Sequence, residues 1–552
     1  MNESTREKKE LSLEAIWTTI YCANLFMLFP LFLRNGYLDI MEAKTIFFFV
    51  TTILYILGTG IIFFVKKIQT GENIFLSENR IDFINIWSII LFIIVLLGVL
   101  FNKLSPVVLW AGKGKLFGSI FLILCMIGSF CISRTFQMNQ GILWGALLGS
   151  VFTGIFVIGS RFGLDILNLY EMIVKNQRSA FLGTLGQINV VSSFFCIFIP
   201  FWLGCYLYSR ERTSKILFGI ALFLVLTAGL CSNSDSIFPG IAGVYLFYLF
   251  FAFMDIESLS AYFQCGGLLF LSMSSVGFLT YLAKQKLHFT VKWDILQQKL
   301  FGNVLLWLII AIILAVCSVV LKKAGKNYTL AKLRTIFSGI LAVLIVAGIG
   351  FVIMSNGRLN GVAVVQKYLV FDDSWGSNRG YVWKRTIDLF GHLPLWKKLI
   401  GCGMGMFPSF FEVFHTDSMK QLGYYFVDAH NEGLQFLVTT GIVGLVSYFG
   451  IIITTLIKNL SFVKKGKQES ELSVIVPAIL FVWLIQGLVN SPNVFITPYL
   501  FLFLGIGQNI VAEKGKSRGA KYMESLCKTK RRDEGISSSI LKTNKEREKL
   551  WN

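Results

Sequence analysis

Gly376-Ser377-Asn378-Arg379-Gly380-Tyr381-Val382-Trp383, Gly401-Cys402-Gly403-Met404-Gly405 and Asp428-Ala429-His430-Asn431-Glu432-Gly433 are three dense clusters within one long polar interval, Ser355 to Gly441. On both sides of it the chain is nearly continuous apolar sequence. Apolar runs of membrane length around a long polar interval decide the fold class: helices that cross a bilayer, with chemistry gathered in a loop at one face.

The composition agrees. A chain of 552 residues with 55% hydrophobic and only 15% charged residues lies far from soluble globular averages. Its mean hydropathy of +0.67 points the same way. The formal charge of +20 raises a nucleic-acid partner, but the basic residues lie between apolar spans and not on a soluble basic face, so no nucleic acid is expected. Most of the ten cysteines fall within apolar runs, where they behave as small hydrophobes, and no disulfide framework or paired CxxC zinc signature follows. The first apolar run is too long and too aromatic for a cleaved signal peptide, which leaves it as the first anchor.

Runs of about 18 to 22 apolar residues suffice to span the hydrocarbon core as helices, and about fourteen are present. The first is Leu13 to Leu33, the eleventh Thr335 to Met354, and the last three are Gly433 to Ile457, Ser473 to Val489 and Val494 to Val511. The expected organisation is residues 1–354 as transmembrane helices, 355–432 as a loop with short interfacial helices, 433–511 as the closing helices, and 512–552 as a basic tail. Alternate loops differ in Lys and Arg. Lys66 and Lys67, the segment Arg210 to Lys215, the segment Lys322 to Arg334 and the segment Lys458 to Lys467 form a basic set that joins both termini on the cytoplasmic side. The other set, including Arg34 to Lys44, Asn102 to Lys115, Arg161 to Gln187, Cys231 to Asp235, Lys284 to Phe301 and the long interval, is then extracytoplasmic.

Asn378 is expected to cap a short helix that Gly391 and Pro394 close. Trp383, Phe390 and Trp396 would lie on or near its apolar side along the interface, with Arg379 at its mouth, able to pair bidentately with phosphate or carboxylate. The Gly401 to Gly405 segment serves either as a tight re-entrant turn or as a close backbone approach to a ligand. His430 precedes the span that opens at Gly433, where helix amides and dipole favour an anion, and can act as general base or hydrogen-bond partner beside Asn431. Ser234 and Asp235 stand at a second outward helix start, and Arg178 and Asn189 on a third polar approach.

At these residues the chain resembles the O-antigen ligase and polysaccharide polymerase superfamily of bacterial membrane glycosyltransferases. The resemblance rests on Arg379-Gly380 with Trp383, on Gly401, Gly403 and Gly405, on Ala429-His430-Asn431 followed by Gly441 to Leu445, and on the approach Arg178 to Asn189. It implies an all-α polytopic membrane protein of GT-C-like fold with a large extracytoplasmic loop. It also implies an activity: transfer or polymerisation of a glycan from an undecaprenyl-pyrophosphate donor onto a lipid or glycan acceptor at the outer face of the bacterial cytoplasmic membrane. By analogy Arg379 holds the donor pyrophosphate and His430 orients or deprotonates the acceptor hydroxyl, without metal or other cofactor, with Arg178, Asn189, Ser234, Asp235, Trp383 and Asn431 binding substrate. One departure is that Ser234-Asp235-Ser236 lacks the arginine common at that helix start, so Arg178 or Arg161 would supply the charge, unless the donor is bound differently. Two other readings compete: a metal-dependent transfer using Asp39 and Glu42, and a lipid-linked glycan flippase or transporter, whose polar sites should lie near the bilayer midplane.

Overall fold

The computed structural model describes residues 11–71, 83–112, 116–171, 173–174, 177–323, 370–422, 425–463 and 471–513, with isolated positions between 335 and 350. The first half runs α1 (Leu13–Leu31), α2 (Ile40–Thr70), α3 (Phe83–Phe101), α4 (Pro106–Ala111), α5 (Ser119–Thr135) and α6 (Gln140–Arg161). A two-stranded antiparallel hairpin, Phe181–Leu182 with Gly186–Gln187, leads into α7 (Ile188–Tyr208). Then follow α8 (Arg212–Cys231), α9 (Ile237–Ala252), α10 (Ile256–Lys286), α11 (Ile295–Phe301) and α12 (Val304–Lys323). The last part holds α13 (Trp375–His392), α14 (Leu395–Ile400), α15 (Phe407–Leu422), α16 (Glu432–Leu460), α17 (Leu472–Gly487) and α18 (497–513).

Eight of the described helices are long and apolar enough to cross a membrane, and several shorter apolar ones accompany them. Each expected span except the eleventh has a helix lying over it; that one falls largely outside the described residues, as does the tail beyond 513. The sequence explains the ends. Ser12, Asn139 and Asp255 cap α1, α6 and α10 by accepting a backbone N–H of the first turn, and Gly71 stops α2 in the left-handed conformation.

Burial sorts the helices between protein and lipid. In α7, 89% of the apolar window is buried inside the protein, whereas in α12 only 11% is, so α7 is the axis of the bundle and α12 faces outward. Around α7 an aromatic core joins the first and last of the described helices: Phe26 and Phe29 of α1 meet Tyr499 of α18, whose hydroxyl donates to Leu25 O at 3.0 Å within a π-helical turn, Asn24–Leu28. Lys44, counted in sequence as the edge of a polar loop, is instead fully buried in α2. Its ammonium donates to the carbonyls of Phe29, Pro30 and Phe32 at 2.8, 3.0 and 3.0 Å, a cation closing the C-terminal end of α1.

Loops of one alternate set bond to each other. Tyr37 Oη donates to Gly183 O at 2.8 Å, Asp294 N to Asn233 Oδ1 at 3.1 Å, and Asn102 Nδ2 to Gly401 O at 3.2 Å. In the other set, Lys66 pairs with Glu14 at 2.8 Å. The long interval is more than a strip along an interface: Tyr381, Val382, Leu389, Phe407, Phe411 and Phe426 form a second small core that packs onto Ala429 and Val438. The most buried face of α13 is turned slightly from the expected one, with Trp383 and Phe390 packing at the edge of this core. Val382, Thr386 and Leu389 point inward, while Trp383 and Phe390 are only partly buried and Ile387 is exposed.

Candidate active site at the head of a broken helix

The expected span at Gly433 is a helix in two pieces. At Gly441 the backbone turns to φ 70°, ψ −175°, a region open to glycine alone, which divides α16 into a half-helix over 432–440 and a longer part beyond. Carbonyls near the break cannot all be satisfied within the helix, and the glycine-rich cluster supplies donors: Cys402 N donates to Val438 O at 2.9 Å and Gly403 N to Thr439 O at 3.0 Å. The approach is backbone against backbone, since a Cβ on Gly401 would stand 2.3 Å from Thr439 C and one on Gly441 2.3 Å from Leu399 O. Of the two roles open to the cluster, these contacts assign the close turn. Burial pushes the Cys402 thiol up to about 12, so it stays protonated.

The half-helix presents the site. Asn431, not His430, is its N-cap: Oδ1 accepts Leu434 N–H at 2.9 Å, while Nδ2 donates to Leu488 O at 2.9 Å. His430 stands just before it in the left-handed conformation, at φ 47°. Its Nδ1 lies 3.3 Å from Asp428 Oδ1, and the side chain of Asp428 is 3% exposed against 21% for His430. Asp428 Oδ1 also accepts His430 N–H at 2.7 Å and the Ser491 hydroxyl at 2.7 Å. A buried carboxylate so placed can orient an imidazole, and an Nδ1–H donated to it would leave Nε2 as the basic nitrogen.

Arg379 comes to the same place from the other side. Gly376, Ser377 and Asn378 all have positive φ, so the regular part of α13 starts at Arg379 after a left-handed turn, and Asn378 does not take the extended conformation of the expected N-cap. Arg379 Nη1 donates to Gly376 O at 2.7 Å and Nε to Val489 O at 2.8 Å, which fixes the guanidinium plane. Asn431 and Arg379 thus bind successive carbonyls, Leu488 and Val489, just past the end of α17. Trp383 lies one turn on, in an aromatic cluster with Phe371 and Trp375.

The remaining expected residues divide. Ser234 Oγ donates to Asn189 Oδ1 at 2.7 Å and shares a bond of 2.9 Å with Ser236, so these two helix starts do converge. Gln486 joins them to α17 by donating to Ser236 O, and Asn490 Nδ2 donates to Gln486 Oε1 at 2.8 Å and Ser193 Oγ at 2.9 Å. Ser193, Glu432, Gln486, Asn490 and Ser491 line a cavity of about 20 Å³, room for roughly one water. Asp235 is held by Gln297 at 3.1 Å, and Arg178 Nε turns to Ile173 O at 3.2 Å in its own loop. Arg161 is committed elsewhere: buried, it donates to Cys231 O and Ser232 O at 2.7 and 2.9 Å and stacks on Trp293, closing the end of α8. Arg34 bridges Asp39 at 2.6 Å and Glu42 at 3.2 Å, and among the described residues no group of three or more His, Cys, Asp or Glu could hold a metal ion.

Gln486, Asn490 and Ser491 were not singled out in the sequence. Their signal was there: a glutamine inside an apolar span, then a short polar turn between two spans on the same side as the long interval.

Residues 244–449 match the family model Wzy_C, described as O-antigen ligase. The match takes in Arg379, the Gly401–Gly405 turn, His430 and the Gly441 break, and it ends before α17. No curated protein matches the chain. With its bundle of long apolar helices, the chain is a polytopic membrane protein that carries an O-antigen ligase domain over residues 244–449.

Proposed function

We propose that this protein is a glycosyltransferase that moves or polymerises a glycan from an undecaprenyl-pyrophosphate donor onto a lipid or glycan acceptor at the outer face of the bacterial cytoplasmic membrane. The observation that carries the proposal is that Arg379, Asn431 and Asp428, the last with its carboxylate 3.3 Å from His430 Nδ1, all bond to residues 488–491 just past the end of α17. In the proposed step the acceptor oxygen attacks the anomeric carbon, and the bond from that carbon to the pyrophosphate oxygen breaks. The leaving pyrophosphate keeps the electron pair, and the acceptor proton passes to His430 Nε2. Arg379 faces the growing charge on the pyrophosphate, together with the N-terminus of the half-helix. In this reading Asn189, Ser234, Asn431, Trp383, Asp235 and Arg178 contact the substrate. In this mechanism the charge is carried by arginine and helix amides, so no metal is assigned.

The excess of Lys and Arg in the other loop set supports an outward site with both termini inside, and the helical bundle under a folded loop fits a GT-C-like architecture. Leu395, Trp396 and Leu399 are exposed on α14 beside Lys397 and Lys398, a pattern suited to lipid headgroups and the acyl boundary.

A flippase would draw support from a broken helix, since transporters place substrate at such breaks. Here the carbonyls beside the break already accept from Cys402 and Gly403, which favours transfer. Purified protein in liposomes, given a labelled undecaprenyl-pyrophosphate glycan with an acceptor, separates the two: new glycosidic product supports transfer, and leaflet exchange without product supports the flippase.

A further inference from the structure

Glu432 follows the N-cap directly, yet it is only 1% exposed. Its Oε1 accepts the Tyr448 hydroxyl at 2.7 Å and its Oε2 accepts Trp483 Nε1–H at 2.8 Å. A carboxylate buried against neutral donors is a costly way to fill a core position that an apolar side chain would fill more cheaply. What it adds is direction: two hydrogen bonds at set angles to two different elements.

Those elements are informative. Tyr448 lies beyond the Gly441 break, so the first bond spans the interruption, and Phe436 stacks on the Tyr448 ring at 3.9 Å across the same gap. A helix broken at one residue has no backbone ladder to set the angle between its halves. Trp483 lies on α17, whose continuation gives Leu488 O to Asn431, Val489 O to Arg379 and Ser491 Oγ to Asp428. The packing is built around this carboxylate, because a Cβ on Gly487 would stand 2.6 Å from Glu432 Oε2.

We propose that Glu432 is a positioning residue for transfer: through Tyr448 and Trp483 it holds the half-helix bearing His430 at a set angle over the chain segment that holds Arg379. The activity arm of its test rests on the proposed function; the exchange arm does not. Glutamine can keep both contacts, its oxygen accepting from Trp483 and its amide donating to the Tyr448 hydroxyl, whereas alanine keeps neither.

The experiment compares wild type, Glu432→Gln and Glu432→Ala by kcat, KM and hydrogen exchange of backbone amides 429–436. Alanine should lower kcat about 100-fold with KM little changed, the scale of an ångström of misplacement, and should speed exchange by about tenfold or more. Glutamine should restore both to within about threefold of wild type. Should the alanine variant fail to fold, Trp483→Phe and Tyr448→Phe, which keep the rings and remove the donors, carry the same expectation at smaller size. Wild-type kcat and exchange in Glu432→Ala would overturn the proposal. So would a glutamine variant as impaired as alanine, which makes charge and not geometry the contribution. If wild type itself transfers nothing, the function proposed above fails and exchange decides positioning alone: faster exchange in alanine sustains it, and unchanged exchange overturns it.

Discussion

Replacing Gly441 by alanine attacks the junction on which the site hangs. Two costs add. The conformation at φ 70°, ψ −175° is strained for any residue with a Cβ, worth about 1–3 kcal/mol. The new methyl would also meet Leu399 O at 2.3 Å, Leu399 C at 2.4 Å and Ile400 N at 2.6 Å, all backbone atoms that move only if the α14 turn moves, which adds about 1–3 kcal/mol of overpacking. The sum, about 2–6 kcal/mol, should open the contact between the Gly401–Gly403 turn and the half-helix. The amides of Cys402 and Gly403, which donate across that contact, are the probes. At the lower bound of about 2 kcal/mol their protection against hydrogen exchange should fall about 30-fold. Gly391→Ala is the control, because a Cβ there meets nothing within 4 Å and the helix should gain about 0.5–1 kcal/mol. Unchanged exchange at Cys402 and Gly403 in Gly441→Ala would refute the docking of the turn on the break.

Further outcomes follow from single groups. Asp428→Asn should lower kcat about 10- to 100-fold in a transfer assay while amide exchange stays near wild type, because the amide can still touch the imidazole but no longer carries the charge that fixes its tautomer and stabilises its protonated form. Lys44→Met removes the donor that three buried carbonyls share and should lower stability by about 3 kcal/mol or more, read as a lower midpoint in thermal unfolding in detergent. Burial holds the His415 imidazole below its usual pKa of about 6.5, more than its carbonyl and carboxylate neighbours offset. The folded state therefore binds fewer protons than the unfolded one below about pH 6.5: the contribution is whole above that pH and is lost as pH falls toward the lowered folded value. The protection of α15 amides, after correction for the intrinsic pH dependence of exchange, should fall over that window and stay level in His415→Phe.

How much was legible beforehand differs by residue. Capping chemistry exposed Asp428 to Asn431, since Asp, Asn and an adjoining apolar run announce a helix start, and the serines at 234 and 236 announced another. Loop charge grouped segments that the structure then joins through Tyr37, Gly183, Asn233 and Asp294. The break at Gly441 was hidden because a glycine inside an apolar run is ordinary, and only the contact with Gly401 gives it meaning. Arg161 and Lys44 looked like loop charges because sequence does not record that a long cationic side chain can turn back to close a buried helix end. Glu432 was visible yet mute, since acids at helix starts are common and its partners lie 16 and 51 residues away. At the α17 end the polar side chains of Gln486, Asn490 and Ser491 carried a signal, whereas the carbonyls of Leu488 and Val489 are backbone groups, which no residue type betrays.

The most direct test of the account is transfer from a labelled undecaprenyl-pyrophosphate glycan by purified wild type, His430→Ala and Arg379→Ala, each with and without EDTA. The account predicts product with wild type in both conditions, and a fall of about 100-fold or more in each variant at preserved folding. Variants that transfer as well as wild type, or a wild type that EDTA silences, would contradict it.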